Sequence, residues 1–343
     1  RFVSFFVSTC NNPQEKSKII DYFIRYIEKV INQLVLPSSS KQLVDLYNIL
    51  ADLYYYKENT KLFKLYKTLN LIISETQNVS FTEELITTAR KVNVNGQVIV
   101  LYLSNAYYSF FPMWNKYFRL HGLNNLIIVA LDSIVYHRLE KFGISNQNLV
   151  LLDIFKAQPK FALRFFQYRI EIVAQMVFSG YSVITTGVDA IWLKNPLEHK
   201  ALKTLEPDVM GGMAPGTTLK IRDKWKKGFV INCDLWLIKS NRQTISLAEK
   251  MLDILKDNPN YHDQDVLAYA IDSKYPNLQW KQEKNYFLFT DSEQTILVLD
   301  QTIISRFRSH SLNSYILHWP LFGIGSSRAE QLKNKLRSLG LEP

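Results

Sequence analysis

Apolar residues recur with helical spacing along the first ninety positions, and from Gln97 onward they gather into short runs that end in polar side chains. Asn12-Pro13-Gln14-Glu15 supplies a cap, a first-turn proline and an acidic third position, after which Ile20, Phe23, Ile24, Ile27, Val30, Ile31 and Leu34 share one helical face. Pro37 and the serines after it end that helix, and Ser40 caps the next. Leu43, Leu46, Tyr47, Leu50 and Tyr54 form the second stripe, and Leu62, Leu65, Tyr66, Leu69 and Ile73 a third. A shorter helix follows Thr82. Residues 1–92 are therefore expected to be a small all-α domain, an antiparallel bundle or a pair of helical hairpins, with its aromatic stripes serving packing.

The period changes at Asn93-Val94-Asn95-Gly96. Buried strands are predicted over 97–103, 126–131, 150–152 and 181–186, separated by helices over 110–120, 134–142 and 165–178. Such alternation predicts an α/β domain over 93–343, its mostly parallel sheet flanked by helices. Ligands in sheets of this kind bind beyond the carboxyl ends of the strands, which here carry Ser104-Asn105, Asp132 and Asp189. Further on, 208–213 reads as a strand into a glycine turn, 229–238 as a strand with a kink, and 245–256 and 263–271 as helices. A basic helix over 328–339 closes the chain.

The run from Val183 to Pro196 is the most specific stretch: an apolar strand delivers one carboxylate, Asp189, and a second apolar segment is stopped by Asn195-Pro196. It resembles the Asp-x-Asp-x-x-Trp signature of nucleotide-sugar glycosyltransferases, with Gly187 at the place of the first Asp, followed by Val188, Asp189 and Trp192. From about Gln97 onward the chain resembles the nucleotide-diphospho-sugar transferase family that includes plant arabinosyl- and xylosyltransferases. The matching blocks come in family order: Asn105, Trp114 and the strand ending in Asp132, Arg169 ahead of Gly180-Tyr181, Asn232, the Asp263-Gln264 pair, and His318 with Gly325. The resemblance implies a GT-A fold and a mostly retaining transfer from a nucleoside-diphosphate-sugar donor.

Breaking an anomeric carbon–phosphate bond leaves charge on a diphosphate, which a divalent ion held by carboxylates or the cations of Lys and Arg must neutralise. Mn2+ or Mg2+ at Asp189, with His318 as a second ligand, is the expectation. Ser104, Asn105, Asp132, Arg169, Gly187, Val188, Asp189 and Asn232 are the donor-binding candidates, and Asp263 and Gln264 the candidates facing the sugar. The basic stretch 220–227 reads as a lid hinged at Gly216 and Gly228. Plainer readings exist for several of these residues: Asp189, Asp132 and Asp263 can each cap a helix, His318 beside Trp319-Pro320 can simply pack, and Arg169 can be a surface residue. Gly187 and Asp234 (the latter where the family has the Gly of Asn-x-Gly) depart from the pattern, and Asp234 stands on a neighbouring strand from which a carboxylate could return.

Composition narrows the partners. A net charge of +10 suits phosphorylated ligands, but no aromatic-basic platform supports nucleic-acid binding. Two cysteines make neither a disulfide framework nor a metal site. No apolar run is long enough to span a membrane, so the expected compartment is the cytoplasm or the cytoplasmic face of a membrane. Because the sequence opens on Arg1, a secretory lumen is the alternative if an upstream anchor has been removed. The expected activity is glycosyl transfer to a hydroxyl of a glycan, protein or small molecule, with the helical domain contacting the acceptor or another subunit. The alternative is a catalytically inactive module of the same fold that binds a nucleotide or glycan.

Overall fold

A computed structural model of the chain describes residues 13–33, 79–154, 161–214, 230–276, 278–290, 294–306, 313–318 and 326–342. Two compact units emerge, residues 1–83 and 84–343. The first unit contains helix α1 (Pro13–Gln33), which buries Ile20, Ile24 and Ile27 as its apolar spacing predicts. The helices expected between Ser40 and Ile73 lie outside the described residues. Helix α2 (Val79–Val92) runs across the division, starting before the predicted Thr82.

In the second unit, β1 (Gln97–Leu103), β2 (Leu126–Ala130), β3 (Leu149–Leu151) and β4 (Ser182–Gly187) fall close to the predicted strands. They alternate with α3 (Phe111–Arg119), α4 (Ser133–Lys141) and α5 (Phe161–Phe178). The four strands lie in the order β3-β2-β1-β4, all parallel. Buried on both faces, they read as continuous apolar runs rather than alternating ones. Ile99, Leu101, Leu103, Ile128, Ala130 and Ile184 turn to the face covered by Phe111, Trp114 and Phe118 of α3. Trp114 stacks on Phe118 at 4.6 Å, and Phe118 meets Trp192 edge-on at 5.3 Å.

Beyond β4 the sheet becomes mixed. β5 (Ala190–Trp192) leaves the main sheet, and after the short α6 (Lys200–Leu205) come β6 (Val209–Ala214) and β7 (Val230–Ile238). β7 is antiparallel to both β4 and β6. Its kink is real: Gly211 pairs with Trp236 but Gly212 with Asn232, so Cys233, Asp234 and Leu235 bulge out of the β6 pairing. Gly211 permits this, since a Cβ there would strike the Ile231 side chain and lie 3.3 Å from the Asn232 carbonyl oxygen.

Helices α7 (Arg242–Asp257) and α8 (Asp263–Lys274) follow, α7 packing on α5 and α8 on β7. Asn241 caps α7 through a full capping box with Thr244. The stretch after α8 carries no predicted element. It holds β8 (Lys281–Gln282), β9 (Tyr286–Thr290) and β10 (Thr295–Leu299), which extend the sheet as β7-β6-β10-β9-β8. A three-stranded sheet of β11 (Ile304–Arg306), β12 (Ile316–His318) and β5 stands apart, and α9 (Ser326–Ser338) ends the fold. Among the described residues no helix is long and apolar enough to cross a membrane.

Because the bulge of β7 rests on Gly211, Gly211→Ala should destabilise the protein by about 1–3 kcal/mol, the usual cost of overpacking a filled interior. The shift of the urea-unfolding midpoint measures it, and an unchanged midpoint would show that the bulge has slack.

Candidate functional site

The carboxyl end of β4 is a tight two-residue turn, Val188-Asp189, leading straight into β5. No helix follows Asp189, so its carboxylate is not a helix cap. The turn is fastened by Trp192, whose indole N–H donates to Thr186 Oγ1 at 3.1 Å while its carbonyl contacts His121 Nε2 at 2.9 Å. Val188 is buried in the core. The Asp189 carboxylate folds back over Gly187: a Cβ at position 187 would lie 2.6 Å from Asp189 Oδ1 and 3.7 Å from Asp234 Cβ.

His318 arrives from far along the chain. β12 runs antiparallel to β5 with His318 opposite Ala190, next to the turn. The ring is buried, its Nε2 3.6 Å from Asp189 Oδ2 and 3.1 Å from Asp234 Oδ2. Asn232 closes the other side. Its carbonyl oxygen accepts the Asp234 backbone N–H at 2.7 Å, which turns its amide nitrogen toward His318 Nδ1 at 3.2 Å. In the neutral ring that orientation favours the proton on Nε2, facing the carboxylates. Burial by itself would lower the His318 pKa, but Asp234 and Asp189 outweigh it and hold it up at about 9.

Arg169, on α5, is no surface residue: its side chain is 5% exposed. Nη1 lies 2.9 Å from Asp263 Oδ2 and 3.3 Å from Asp234 Oδ1, and Nη2 donates to the Cys233 carbonyl in the β7 bulge. Thr185 Oγ1 donates to the same carbonyl at 3.1 Å. The guanidinium sits over the rings of Tyr102 and Phe165, at 5.4 and 5.5 Å. Burial opposes its charge, yet the neighbouring carboxylates raise its pKa above the usual value. Burial pushes Asp263 up, against the pull of Arg169. Asp263 is the first residue of α8 rather than its cap, and its Oδ1 accepts the Gln264 N–H at 2.8 Å. Gln264 is half-buried beside it. The Cys233 thiol is buried and its pKa raised well above normal by desolvation, so it is no nucleophile.

Ser104, Asn105 and Asp132 form a second group at the ends of β1 and β2. Asp132 does cap its helix: Oδ1 accepts the Val135 N–H at 2.8 Å, while Oδ2 accepts the Asn105 N–H at 2.7 Å. Asn105 Oδ1 in turn accepts from Arg138 at 2.8 Å, a cation that the sequence reading did not single out. Ser104 is buried with its hydroxyl unpartnered among the described residues. The pairing of Tyr102 with Gly187 puts this group on the same sheet edge as the Asp189 turn.

The metal expected at Asp189 and His318 meets donors already engaged. Both ring nitrogens of His318 and both oxygens of Asp234 have protein partners. Among the described residues no group of three or more His, Cys, Asp or Glu side chains is arranged to hold an ion. As packed here, these residues do not fit a metal centre. The expected lid, 220–227 with Gly216 and Gly228, and Gly325 lie outside the described residues.

A parallel β3-β2-β1-β4 half-sheet with polar groups at its carboxyl edge defines an open α/β protein, the kind whose ligands bind beyond the carboxyl ends of the strands. The family model of nucleotide-diphospho-sugar transferases matches residues 121–320, more than half of the chain, and the chain belongs to that family. Its fold is the GT-A class that the resemblance implied. An uncharacterized Arabidopsis thaliana protein, At1g28695, is 26% identical over 161 residues, which is 45% of this chain and 46% of that relative. The match thus spans about half the length of the curated relative. A solved galactosyltransferase, LgtC, determined in complex with donor and acceptor sugar analogs, aligns over 71% of this chain and 97% of its own. Its identity is 13% and its TM-score 0.38. PaToxG glycosyltransferase aligns over 62% of this chain and 81% of its own, with 15% identity and a TM-score of 0.31. The family assignment rests on the family match rather than on these two likenesses.

Removing one partner of a buried ion pair leaves an uncompensated charge. Arg169→Ala should therefore cost about 3–5 kcal/mol of folding stability. Urea unfolding measures the loss, and one below about 1 kcal/mol would mean that the pair contributes as little as a surface pair does.

Proposed function

We propose that this chain is a glycosyltransferase that moves a sugar from a nucleoside-diphosphate-sugar donor to a hydroxyl of a glycan, protein or small molecule, with retention at the anomeric carbon. The observation that carries the reading is the convergence of Asp189, His318, Arg169, Asn232 and Asp263 at the carboxyl edge of β4, in a member of a sugar-nucleotide transferase family. In the reaction the anomeric carbon–oxygen bond to phosphate breaks and its electron pair leaves with the diphosphate. The acceptor oxygen bonds to the anomeric carbon and releases its proton. Ser104 and Asn105, held by the Asp132 cap, receive the nucleoside, and Arg138 lies beside them.

His318, positively charged near neutral pH, meets the growing charge of the diphosphate. Gln264 faces the sugar, while Asp263 acts through Arg169, with which it is paired. The resemblance implies a Mn2+ or Mg2+ ion at this edge. Since the donor groups there are engaged within the protein, the metal requirement is a measurement rather than a premise.

A screen of donor hydrolysis over common nucleotide-sugars, with Mn2+ and with EDTA, is the test. Turnover of at least one donor is expected. No turnover together with no calorimetric binding of any nucleoside diphosphate would overturn the reading, whereas binding without turnover would identify an inactive module. Asp189→Ala should lower turnover by about 10- to 100-fold, since it removes one of the two carboxylates that hold the charged His318 in place. An unaffected rate would place the site elsewhere.

A further inference from the structure

Asp234, read from the sequence only as a carboxylate that could return beside Gly187, touches both buried cations of the site. Its Oδ1 lies 3.3 Å from Arg169 Nη1 and its Oδ2 3.1 Å from His318 Nε2. These two cations come from unrelated places, one on α5 and one on β12, and share no pairing between their elements. At 27% exposure its side chain is also the most open of the five charged groups, against 10% or less for Asp189, Arg169, Asp263 and His318.

Three local features put that carboxylate where it is. The first is the bulge of β7, which releases residues 233–235 from β6 and turns the middle one out of the ladder. The second is the backbone N–H of Asp234 on the Asn232 side-chain oxygen at 2.7 Å, which ties the bulge to the group that holds the far side of the imidazole. The third is Gly187. The β4–β7 register pairs Thr186 with Leu235, and the next step along brings Gly187 against Asp234. With no side chain at 187, Asp189 Oδ1 occupies the space a Cβ would need, and Asp234 packs behind it. The two carboxylates can then approach the same edge of His318.

We propose that Asp234 is the positioning residue of this site, one carboxylate that fixes both Arg169 and His318, and that Gly187 is the clearance that lets Asp234 and Asp189 share the imidazole. The proposal rests on the transfer reading only for its effect on turnover. Its geometric content is independent of that activity.

The test uses the full chain, with the imidazole nitrogens of His318 read by 15N NMR, assigned by their loss in His318→Gln, and UDP and GDP as calorimetric probes. In the unaltered protein the Nε2 signal should be that of a protonated nitrogen donating to carboxylates. Gly187→Ala should move the Nε2 signal, because the new methyl displaces the Asp189 carboxylate. Asp234→Asn should move it further and lower kcat/KM by about 10- to 100-fold, the size usual when an orienting partner is lost.

Asp234→Glu, which keeps the charge, should restore most of both. Gly187→Ala carries the test if Asp234→Asn fails to fold. An unchanged His318 spectrum in Asp234→Asn, or in Gly187→Ala when the Asn variant does not fold, would overturn the proposal. So would an Asp234→Glu protein no better than Asp234→Asn. Moved imidazole signals in a protein that turns over no donor and binds neither nucleotide would uphold the positioning and sink the transfer reading.

Discussion

A guanidinium with almost no contact with water organises the second unit. Burying Arg169 carries a large desolvation cost, and it is tolerable only if opposite charge and hydrogen-bond acceptors surround it. Asp263, Asp234 and the Cys233 carbonyl meet that need from α8 and from the bulge of β7, while Tyr102 and Phe165 offer their ring faces. The pairing therefore locks one helix of the parallel half-sheet to the first turn of another and to a strand of the antiparallel half. Loosening any partner leaves charge buried without compensation, so the three elements have little freedom to shift independently.

The same network explains why the Asp189 turn is built as it is. The edge at that turn is charged yet rigid. Here the acidic turn is held from below by Trp192 and Thr186, from the side by Gly187, and from beyond the main sheet by His318 on β12. The carboxylates are neutralised by cations of the protein itself, so the corner is assembled before any ligand arrives. The arrangement combines a glycine at 187, which leaves room for the Asp189 carboxylate, with a carboxylate at 234.

Much of the parallel half was legible in the residues. Gln97–Leu103, Leu126–Ala130 and Ser182–Gly187 are strand-prone runs that open within two residues of Gly96, Asn125 or Gly180 and close within two of Ser104, Asp132 or Asp189, so their type and limits follow from local chemistry. The strands β8 to β12 were not legible. β8, β11 and β12 have only two or three residues each, and the apolar runs of β9 and β10 carry no clear period that separates a strand from a buried loop. At the site, Asp189, His318, Arg169 and Asn232 were named from the order of motifs, and they do lie together. The role of Asp132 as a cap was visible in the Asp-Ser-Ile start of its helix. The joint hold of Asp234 on Arg169 and His318 was not, since those residues are separated by 65 and 84 positions.

By itself the sequence determined which segments become helices and strands in the parallel half, and which polar residues end up at their carboxyl edge. Those outcomes depend on period and capping, which act over a few residues. Tertiary structure alone decided the partners. Whether Asp132 caps or binds, whether Arg169 is surface or core, and which carboxylates face His318 all depend on pairing between distant strands and on a bulge whose need for glycine at 211 appears only when β6 meets β7. Charge is long-ranged and burial sets its strength. The chemistry of this edge is therefore a property of the assembled sheet rather than of any one motif.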